Sequence, residues 1–438
     1  AGDPGYIDEE LERLQAVTAE DVRRVYETYI KDQPHGAASF VPKGAPELAL
    51  DGSTIADVVI EPIVQGAEAE VDLSAEAAYE RTPSLIDRTI EPPYGETPEL
   101  ATPEVWKTEL ANGLTVYGIS DSELPLVQFS MVMEGGHLLD TPETAGTANL
   151  LAEILLKGTA TKTPAEFDNA LALLGADVSV DVGTESFDIN GETLARNFDA
   201  TMALIEEALL APRWDEDEFV LAVSRTKDAI QASRAHPNAI ATRAFNYVTY
   251  GADSMRARSV LGSESSVDAI TLDSLQAWKG ANLSPHLTSL RVVGNIGESD
   301  VSDAMQGLAT TWAPIDVTLP DASMPAAPSA SKVYFYDVPG SSQSVFRFGY
   351  PALKRTDEDY TLAGVMNYRL GGGGFASRLT QELREGKGYT YGIGASFSGT
   401  EQVGVFSIFS GVRTNVTLEA AALLRDIMTD YTETFTEE

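Results

Sequence analysis

The chain has 438 residues, too many for one compact core, so two α/β-type domains with additional segments are expected. Its 67 acidic residues outnumber its 30 basic residues, and the formal net charge of -37 argues against nucleic acid and anionic lipid as partners. The absence of cysteine excludes disulfides, thiolate zinc sites and a cysteine nucleophile. No apolar run is long enough to span a bilayer, so membrane insertion is not expected. The charge could steer basic peptides, although solubility in a salty setting is the simpler explanation.

The first predicted element is a helix that begins at Thr18. The segment AVTAEDVRRVYETYI has a Thr N-cap, an acidic first turn and apolar residues at helical spacing. The later segment AITLDSLQAWKGANL repeats this pattern, with Thr18 matching Thr271 and Val22 matching Leu275. The two segments are therefore predicted to be equivalent helices.

Each of these helices precedes a predicted short strand, AASFVPKG near residue 40 and SLRVVGNI near residue 292. Such a helix and strand would form the closing unit of a domain. Residues 1–42 are accordingly predicted to be the tail of a preceding domain. The polar amino terminus lacks a signal-peptide pattern, so we expect either a removed signal or a start inside a longer protein.

Residues 43–104 are predicted to form a linker. The stretch is rich in Pro, Ala, Glu and Asp, as in GAPELALDG and IEPPYGETPELATPEV. It has little hydrophobic periodicity, which favours an extended segment over a packed domain.

Two later stretches indicate a pair of homologous opening units. The alternating patterns LVQFSMVMEGG and SVFRFGYPALK predict strands, with Phe129 matching Phe346 and Met131 matching Phe348. Each strand leads into a predicted helix, AGTANLLAEILLKGT or YTLAGVMNYRLGGGG, with a glycine near its end.

These units predict an α+β chain in which antiparallel-rich sheets pack against helices. A complete domain is expected over 105–300, a spacer over 301–330 and the start of another domain over 331–438. The last region has no closing helix and strand like those near residue 292. We therefore expect a fragment of a longer protein.

Four histidines are the imidazole candidates for a metal site: His35, His137, His236 and His286. No two of them have the i, i+4 spacing by which one helix face presents two imidazoles to zinc. A zinc site built from sequence neighbours is therefore excluded. His137 and His236 are interpreted as loop or surface histidines.

The stretch TANLLAEILLKGT resembles the signature of the pitrilysin-type (M16) zinc peptidases, whose helix carries His-x-x-Glu-His and ends in Lys-Gly-Thr. In that family the histidines bind zinc and the glutamate activates water. The resemblance places Asn149, Ala152 and Glu153 at these positions, so all three functional side chains are replaced. An amide is a poor zinc ligand and a methyl group cannot accept a proton.

The family's third zinc ligand is a Glu on a later helix. The resemblance places that position near Ala229, with Asp228 beside it in SRTKDAIQASRAHPN. A carboxylate one residue away points about 100° around the helix and cannot substitute directly. We interpret Asn149, Glu153 and Asp228 as remnant or structural polar residues, and no metal site is expected in this chain.

The stretch GGGGFASRLTQELREGKGYTYGIGASF closely resembles the M16 segment that runs from a glycine loop to an Arg and a Tyr. In active members this pair binds the substrate backbone across the cleft from zinc and stabilises the tetrahedral intermediate. The resemblance assigns these roles to Arg384 and Tyr391. Without it, a helix-end cation and a core strand aromatic would be the simpler interpretations.

The glycine loop consists of Gly371, Gly372, Gly373 and Gly374. A phosphate-binding loop is disfavoured because no Lys-Ser/Thr follows, and because the pattern is helix, loop, helix. The glycines are expected to let the loop turn and move, and Arg378 is expected to hold it.

The resemblance implies tandem M16-type (LuxS/MPP-like) domains that form the non-catalytic half of a bacterial zinc metalloendopeptidase. Its implied partners are peptide substrates and a zinc-bearing M16 half, either fused upstream or separate, with zinc in that half and no cofactor in this chain. Loss of catalysis throughout the assembly, leaving a structural or peptide-holding protein, is the alternative. An independent metalloenzyme is a third possibility. A bacterial periplasmic location is slightly favoured over the cytoplasm.

Overall fold

The computed structural model describes the following residues: 6–55, 86–87, 90, 93, 95–96, 99–321 and 330–434. The chain divides into two compact units, Ala1–Thr97 and Pro98–Glu438. Much of the linker predicted over 43–104 lies outside the described residues. None of the described helices is both long and apolar enough to cross a membrane.

The described part of the first unit contains two helices longer than one turn, α1 (Tyr6–Gln15) and α2 (Ala19–Tyr29). The predicted cap of α2 is confirmed, because Thr18 and Asp21 exchange side-chain and backbone hydrogen bonds in a capping box. No residue of α2 is buried. The prediction of a strand near residue 40 is wrong. Residues 33–42 are not in a strand, and no described residue pairs with them in a ladder.

Six strands form a mixed sheet in the second unit: β1 (Trp106–Glu109), β2 (Thr115–Ser120), β3 (Leu126–Glu134), β4 (Asp177–Val182), β5 (Ser186–Leu194) and β6 (Thr288–Gly294). Their spatial order is β1-β2-β6-β3-β5-β4. All neighbours are antiparallel except β2 and β6, which are parallel. The strand predicted near residue 292 is therefore confirmed, and it lies inside the sheet.

The predicted alternation along β3 is confirmed. Phe129, Met131 and Met133 are buried on one face of the strand, as a period of two requires. On the other face, Ser130 donates a hydrogen bond to Asn190 of β5. One face of the sheet thus packs against the hydrophobic core.

Seven α-helices lie between β3 and β6 in the chain: α3 (Thr147–Leu155), α4 (Pro164–Leu174), α5 (Phe198–Leu210), α6 (Glu216–Ala235), α7 (Pro237–Tyr250), α8 (Glu264–Ala269) and α9 (Leu272–Asn282). Helix α3 packs against α6, α9 and β4. Thr271 caps α9 as predicted, and this helix buries Leu275 and Trp278.

The predicted spacer over 301–330 begins too early. Two short helices, α10 (Glu298–Ala304) and α11 (Gln306–Thr311), occupy its first part. Val301, Met305 and Leu308 are buried in the core of the six-stranded sheet. Their i, i+4, i+7 spacing is the apolar stripe of a helical face, which is why this segment packs on the domain.

The second sheet has three antiparallel strands in the order β7-β9-β8: β7 (Gln343–Pro351), β8 (Thr390–Gly399) and β9 (Gly404–Arg413). Its helices are α12 (Tyr360–Asn367), the single turn α13 (Arg378–Thr380) and α14 (Thr417–Asp430). A separate core forms here, and Leu370, Leu383 and Ile408 are among its buried residues. The predicted α+β class is confirmed.

A polar cluster joins the two sheets within the second unit. Arg256 is almost fully buried, and its Nη2 lies 2.5 Å from Oε1 of Glu185. Thr400, next to β8, donates a hydrogen bond to the same carboxylate oxygen. Nearby, α7 packs against β7, where the Phe245 ring lies against Gly349. These contacts link the two sheets through both charge and packing.

Candidate functional site

The three residues that the resemblance places in a degenerate zinc motif lie on α3, the helix that was predicted there. Asn149 and Ala152 are half-buried and Glu153 is exposed. No described residue forms a hydrogen bond or ion pair with the side chain of Asn149 or Glu153. The helix is held by its apolar face, where Leu150, Leu151 and other residues are fully buried.

The residues near the family's third ligand do not complete a site. Ala229 and Asp228 are both exposed on α6. Among the described residues, no group of three His, Cys, Asp or Glu side chains could hold a metal ion. One amide, one methyl group and isolated exposed carboxylates do not fit zinc, which prefers imidazole and thiolate nitrogen and sulfur or closely grouped carboxylates.

The Lys-Gly-Thr segment after α3 has a structural role. Thr159 is buried, and its hydroxyl donates a 2.6 Å hydrogen bond to Oε1 of Glu207 on α5. Thr161 donates to the same oxygen, and Lys162 Nζ lies 2.5 Å from Oε2. Burial alone would raise the pKa of Glu207, but the bonds from Lys162, Thr159 and Thr161 outweigh it and lower the pKa to about 2. Sequence reasoning missed Glu207, since nothing in its local pattern separates it from other helical glutamates.

Replacing Glu207 with Gln is expected to destabilise the second unit at pH 7 by about 2 kcal/mol, after allowance for solvent screening. The folded-state pKa is below the ordinary value of 4.5, so this contribution is complete above pH 4.5 and is lost as the pH falls toward 2. Urea unfolding of both proteins at pH 7 and pH 3 measures it. Glu153→Gln, at an exposed site, is the control, and an equal effect of E207Q at both pH values would contradict the prediction.

The interpretation of His137 as a loop or surface residue is wrong with respect to burial. His137 is fully buried in a short 3-10 turn after β3, and its Nδ1 lies 3.1 Å from Asp140. Asp140 also accepts hydrogen bonds from the backbone N–H groups of Gly146 and Ala148, at the start of α3. The pair therefore anchors the amino terminus of that helix. His236 is exposed between α6 and α7, as expected.

Arg384 and Tyr391 lie together in the structure and form a cluster with Phe375, which we call the Arg384 cluster. The guanidinium carbon of Arg384 is 4.8 Å from the Tyr391 ring centroid and 4.5 Å from that of Phe375. The Arg384 side chain is 28% exposed, whereas Tyr391 is 84% and Phe375 65% exposed. Two aromatic faces attract the cation and restrict its orientation.

The hydrogen-bond donors of the Arg384 cluster have few partners among the described residues. Nε of Arg384 lies 3.3 Å from Glu385, and no described residue accepts a hydrogen bond from its terminal amino groups. Tyr391 is exposed on its strand, so the core-aromatic interpretation does not apply. Sequence reasoning missed Phe375, for which an aromatic residue directly after a glycine run was the only signal.

The backbone before β8 positions Arg384. Residues 381–386 form a π-helical turn, in which Lys387 N–H bonds to the carbonyl of Glu382. Such wide turns recur at functional sites. Leu383 is fully buried and anchors the turn, and Gly388, at a φ of +59°, bonds back to the Arg384 carbonyl. The chain then enters β8, which brings Tyr391 back to Arg384.

The glycine loop packs tightly, and hydrogen bonds from two side chains hold this region. A Cβ on Gly371 would lie 2.6 Å from Cβ of Ala395 on β8, and Gly374 has a φ of +56°. Asn367 donates to the Ala395 carbonyl, and the Ser377 hydroxyl donates to the Gly374 carbonyl. No described hydrogen bond joins Arg378 to the loop, so its expected role in holding the loop stays a prediction.

Two family models match the chain. The model described as insulinase (peptidase family M16) covers residues 116–261, and the model described as peptidase M16 inactive domain covers residues 269–438. Together they span both sheets. The second match includes the Arg384 cluster.

Individual relatives and a solved structure are also similar to this chain. An uncharacterized zinc protease of Streptomyces coelicolor is 24% identical over 330 residues, which cover 74% of this chain and 71% of that protein. A non-peptidase homolog of Helicobacter pylori is 22% identical over 313 residues, 71% of each chain. The crystal structure of a peptidase M16 inactive domain from Pseudomonas fluorescens covers 76% of this chain and 80% of its own, with a TM-score of 0.69 and 23% identity. With matching models over both sheets and relatives over most of its length, the chain belongs to peptidase family M16.

Proposed function

We propose that this chain is the non-catalytic half of an M16 zinc metalloendopeptidase. It binds an extended peptide and supplies Arg384 and Tyr391 to the active site of a zinc-bearing half. The observation that carries this proposal is the Arg384 cluster, whose guanidinium and phenol present hydrogen-bond donors at the surface. The replaced motif on α3 supports a division of labour with another half.

The two donors suit a peptide carbonyl. The guanidinium of Arg384 stays charged and offers parallel N–H groups, so it binds one or two carbonyl oxygens in a fixed direction. The hydroxyl of Tyr391 is a neutral donor, which strengthens its bond as charge develops on the oxygen. Because Phe375 and Tyr391 hold the guanidinium in place beforehand, little reorganisation is needed when the peptide reacts.

The sheet beside the cluster offers a place for the peptide. Tyr391 belongs to β8, and β8 is the last strand in the order β7-β9-β8. An edge strand can accept an extended peptide through main-chain hydrogen bonds, which tolerate many side chains. A peptide along this edge would run past Tyr391.

The proposal is tested by mixing the chain with the zinc-bearing half and a quenched fluorescent peptide. Neither half is expected to cleave alone. Replacing Tyr391 with Phe keeps the ring against Arg384 but removes the hydroxyl, so kcat should fall about 10- to 100-fold while KM changes little. Steady-state kinetics measure both constants.

Tyr350→Phe is the matched control, because Tyr350 is an exposed tyrosine of β7 in the same sheet. It should leave kcat unchanged. Chelator-sensitive cleavage by the purified chain alone would overturn the proposal, and so would an assembled enzyme in which Y391F turns over like the wild type.

An alternative function is a catalytically inactive, peptide-holding or structural protein. It is favoured by the similarity to a protein that is itself called a non-peptidase homolog. An assembly that binds peptide through Arg384 but never cleaves it would support this alternative.

We also propose that residues 1–42 close another M16-type domain. On α9, Leu275 and Trp278 are buried against their domain. On α2, the matching residues Val22 and Val25 are exposed. An apolar face of this kind on a capped helix fits a helix whose covering surface belongs to a further domain.

A further inference from the structure

A β-bulge lies at the start of β8, next to the Arg384 cluster. Thr390 pairs with Val412 of β9, and the next regular pair is Ile393 with Ser410. Tyr391 and the following glycine therefore face a single residue of β9. Such a bulge bends its strand and changes the direction of the side chains it carries.

Two buried hydroxyl groups hold the bulge. Thr390 is 8% exposed and Ser410 is fully buried. The hydroxyl of Thr390 accepts a 3.0 Å hydrogen bond from Gly392 N–H, and its oxygen lies 2.7 Å from the carbonyl oxygen of Gly411 and 2.8 Å from that of Gly392. Ser410 Oγ lies 3.0 Å from the Gly392 carbonyl and 3.0 Å from Thr390 Oγ1.

This network satisfies backbone groups that the bulge removes from the strand ladder. Each hydroxyl has one proton to donate, and the carbonyl oxygens of Gly392 and Gly411 lie within hydrogen-bond distance of the two hydroxyls. The two hydroxyls thereby supply hydrogen bonds in place of the ladder, and unpaired backbone groups in this interior would be costly. A regular strand at Tyr391 would need neither hydroxyl.

We propose that Thr390 and Ser410 are positioning residues, which fix the bulge so that the Tyr391 ring lies against Arg384. Any effect of these two residues on catalysis rests on the proposed function. The contact between Tyr391 and Arg384 that they position lies within this chain and can be measured without a partner. Neither hydroxyl has to touch the peptide. Their effect reaches the peptide through the direction of Tyr391 and the orientation of Arg384.

The test is chemical modification of Arg384 by phenylglyoxal in the isolated chain, followed by mass spectrometry of proteolytic fragments. Thr390→Val keeps the shape of the side chain and removes the hydroxyl. Release of one ring from the guanidinium should raise the modification rate of Arg384 about two- to fivefold, the factor that corresponds to a cation–π contact at an exposed site. Ser410→Ala should act in the same direction.

Three comparisons make the result specific. Thr390→Ser restores a hydroxyl and should return the rate to that of the wild type. Thr193→Val removes another buried threonine hydroxyl, in the six-stranded sheet, and should leave Arg384 unchanged. Arg425, exposed on α14, should react equally in every variant.

A wild-type rate for Arg384 in both T390V and S410A would overturn the inference, as would failure of T390S to restore the rate. If T390V does not fold, the modification rate of Arg384 in S410A is the deciding measurement. The proposed function fails separately, if Y391F turns over like the wild type while the labelling rates change as described. Conversely, impaired turnover of Y391F with no labelling change in T390V removes only the positioning roles.

Discussion

Replacing Arg384 with Ala is expected to lower kcat/KM of the assembled peptidase about 10²- to 10³-fold, the usual loss for one preorganised donor to a developing oxyanion. The expected cause is the loss of a charged donor whose terminal amino groups have no described protein partner. The variant should fold normally, because the side chain is partly exposed and the anchor of its turn is Leu383. Peptide hydrolysis and thermal unfolding measure the two effects.

The substitution Arg384→Lys separates the contribution of the positive charge from that of the planar guanidinium. Lysine keeps the positive charge but lacks the planar fork, so we expect it to recover only part of the lost rate. Arg425→Ala is the control, since Arg425 is an exposed arginine of the same domain that contacts only Asp426 among described acidic residues. Turnover of R384A equal to that of R425A would remove Arg384 from the mechanism.

Replacing Arg256 with Ala is expected to lower the free energy of unfolding of the second unit by about 2–4 kcal/mol, somewhat less than the roughly 3–5 kcal/mol for a fully buried ion pair, because the Glu185 side chain is 29% exposed. The change leaves Glu185 without its cation, although Thr400 still donates to it. Because this cluster joins the two sheets, the variant should also lose cooperativity between them. Urea unfolding followed by tryptophan fluorescence and circular dichroism measures both quantities.

Arg258→Ala is a control two residues along the chain, at an exposed position. It should change the free energy of unfolding by no more than about 0.5 kcal/mol. If R256A and R258A have the same stability, the polar cluster does not hold the two sheets together.

The strands and capped helices could be predicted from local sequence because their signals are local. The alternation around Phe129 specifies a strand with one buried face, and Thr271 before an apolar stripe specifies the start of α9. The strand near residue 40 failed for the opposite reason. Its pattern is suitable, but a strand depends on a neighbour that local sequence does not supply.

The similarity between the two opening units did not extend to their burial. Leu150 of α3 is fully buried, whereas Val365 of α12 is exposed. Helices α6 and α9 pack on α3, and among the described residues no comparable pair packs on α12. Sequence patterns therefore predict which face of a helix is apolar, but not what covers it.

The candidate site was predicted through a resemblance to a family. Composition or periodicity alone would have placed Tyr391 in the core and Arg384 at a helix end. Phe375, Thr390 and Ser410 could not be found in that way, because their importance lies in contacts across the sheet and the glycine loop. Such contacts depend on the register between β8 and β9, which no local pattern specifies.

The position of β6 has a consequence for how the protein is made. This strand lies between β2 and β3, yet it follows all seven helices from α3 to α9 in the chain. During synthesis, β2 and β3 therefore wait with unpaired edges until Thr288 and its neighbours have left the ribosome. Late insertion of a central strand makes folding slow and exposes the nascent chain to aggregation, so this domain should depend on chaperones during translation.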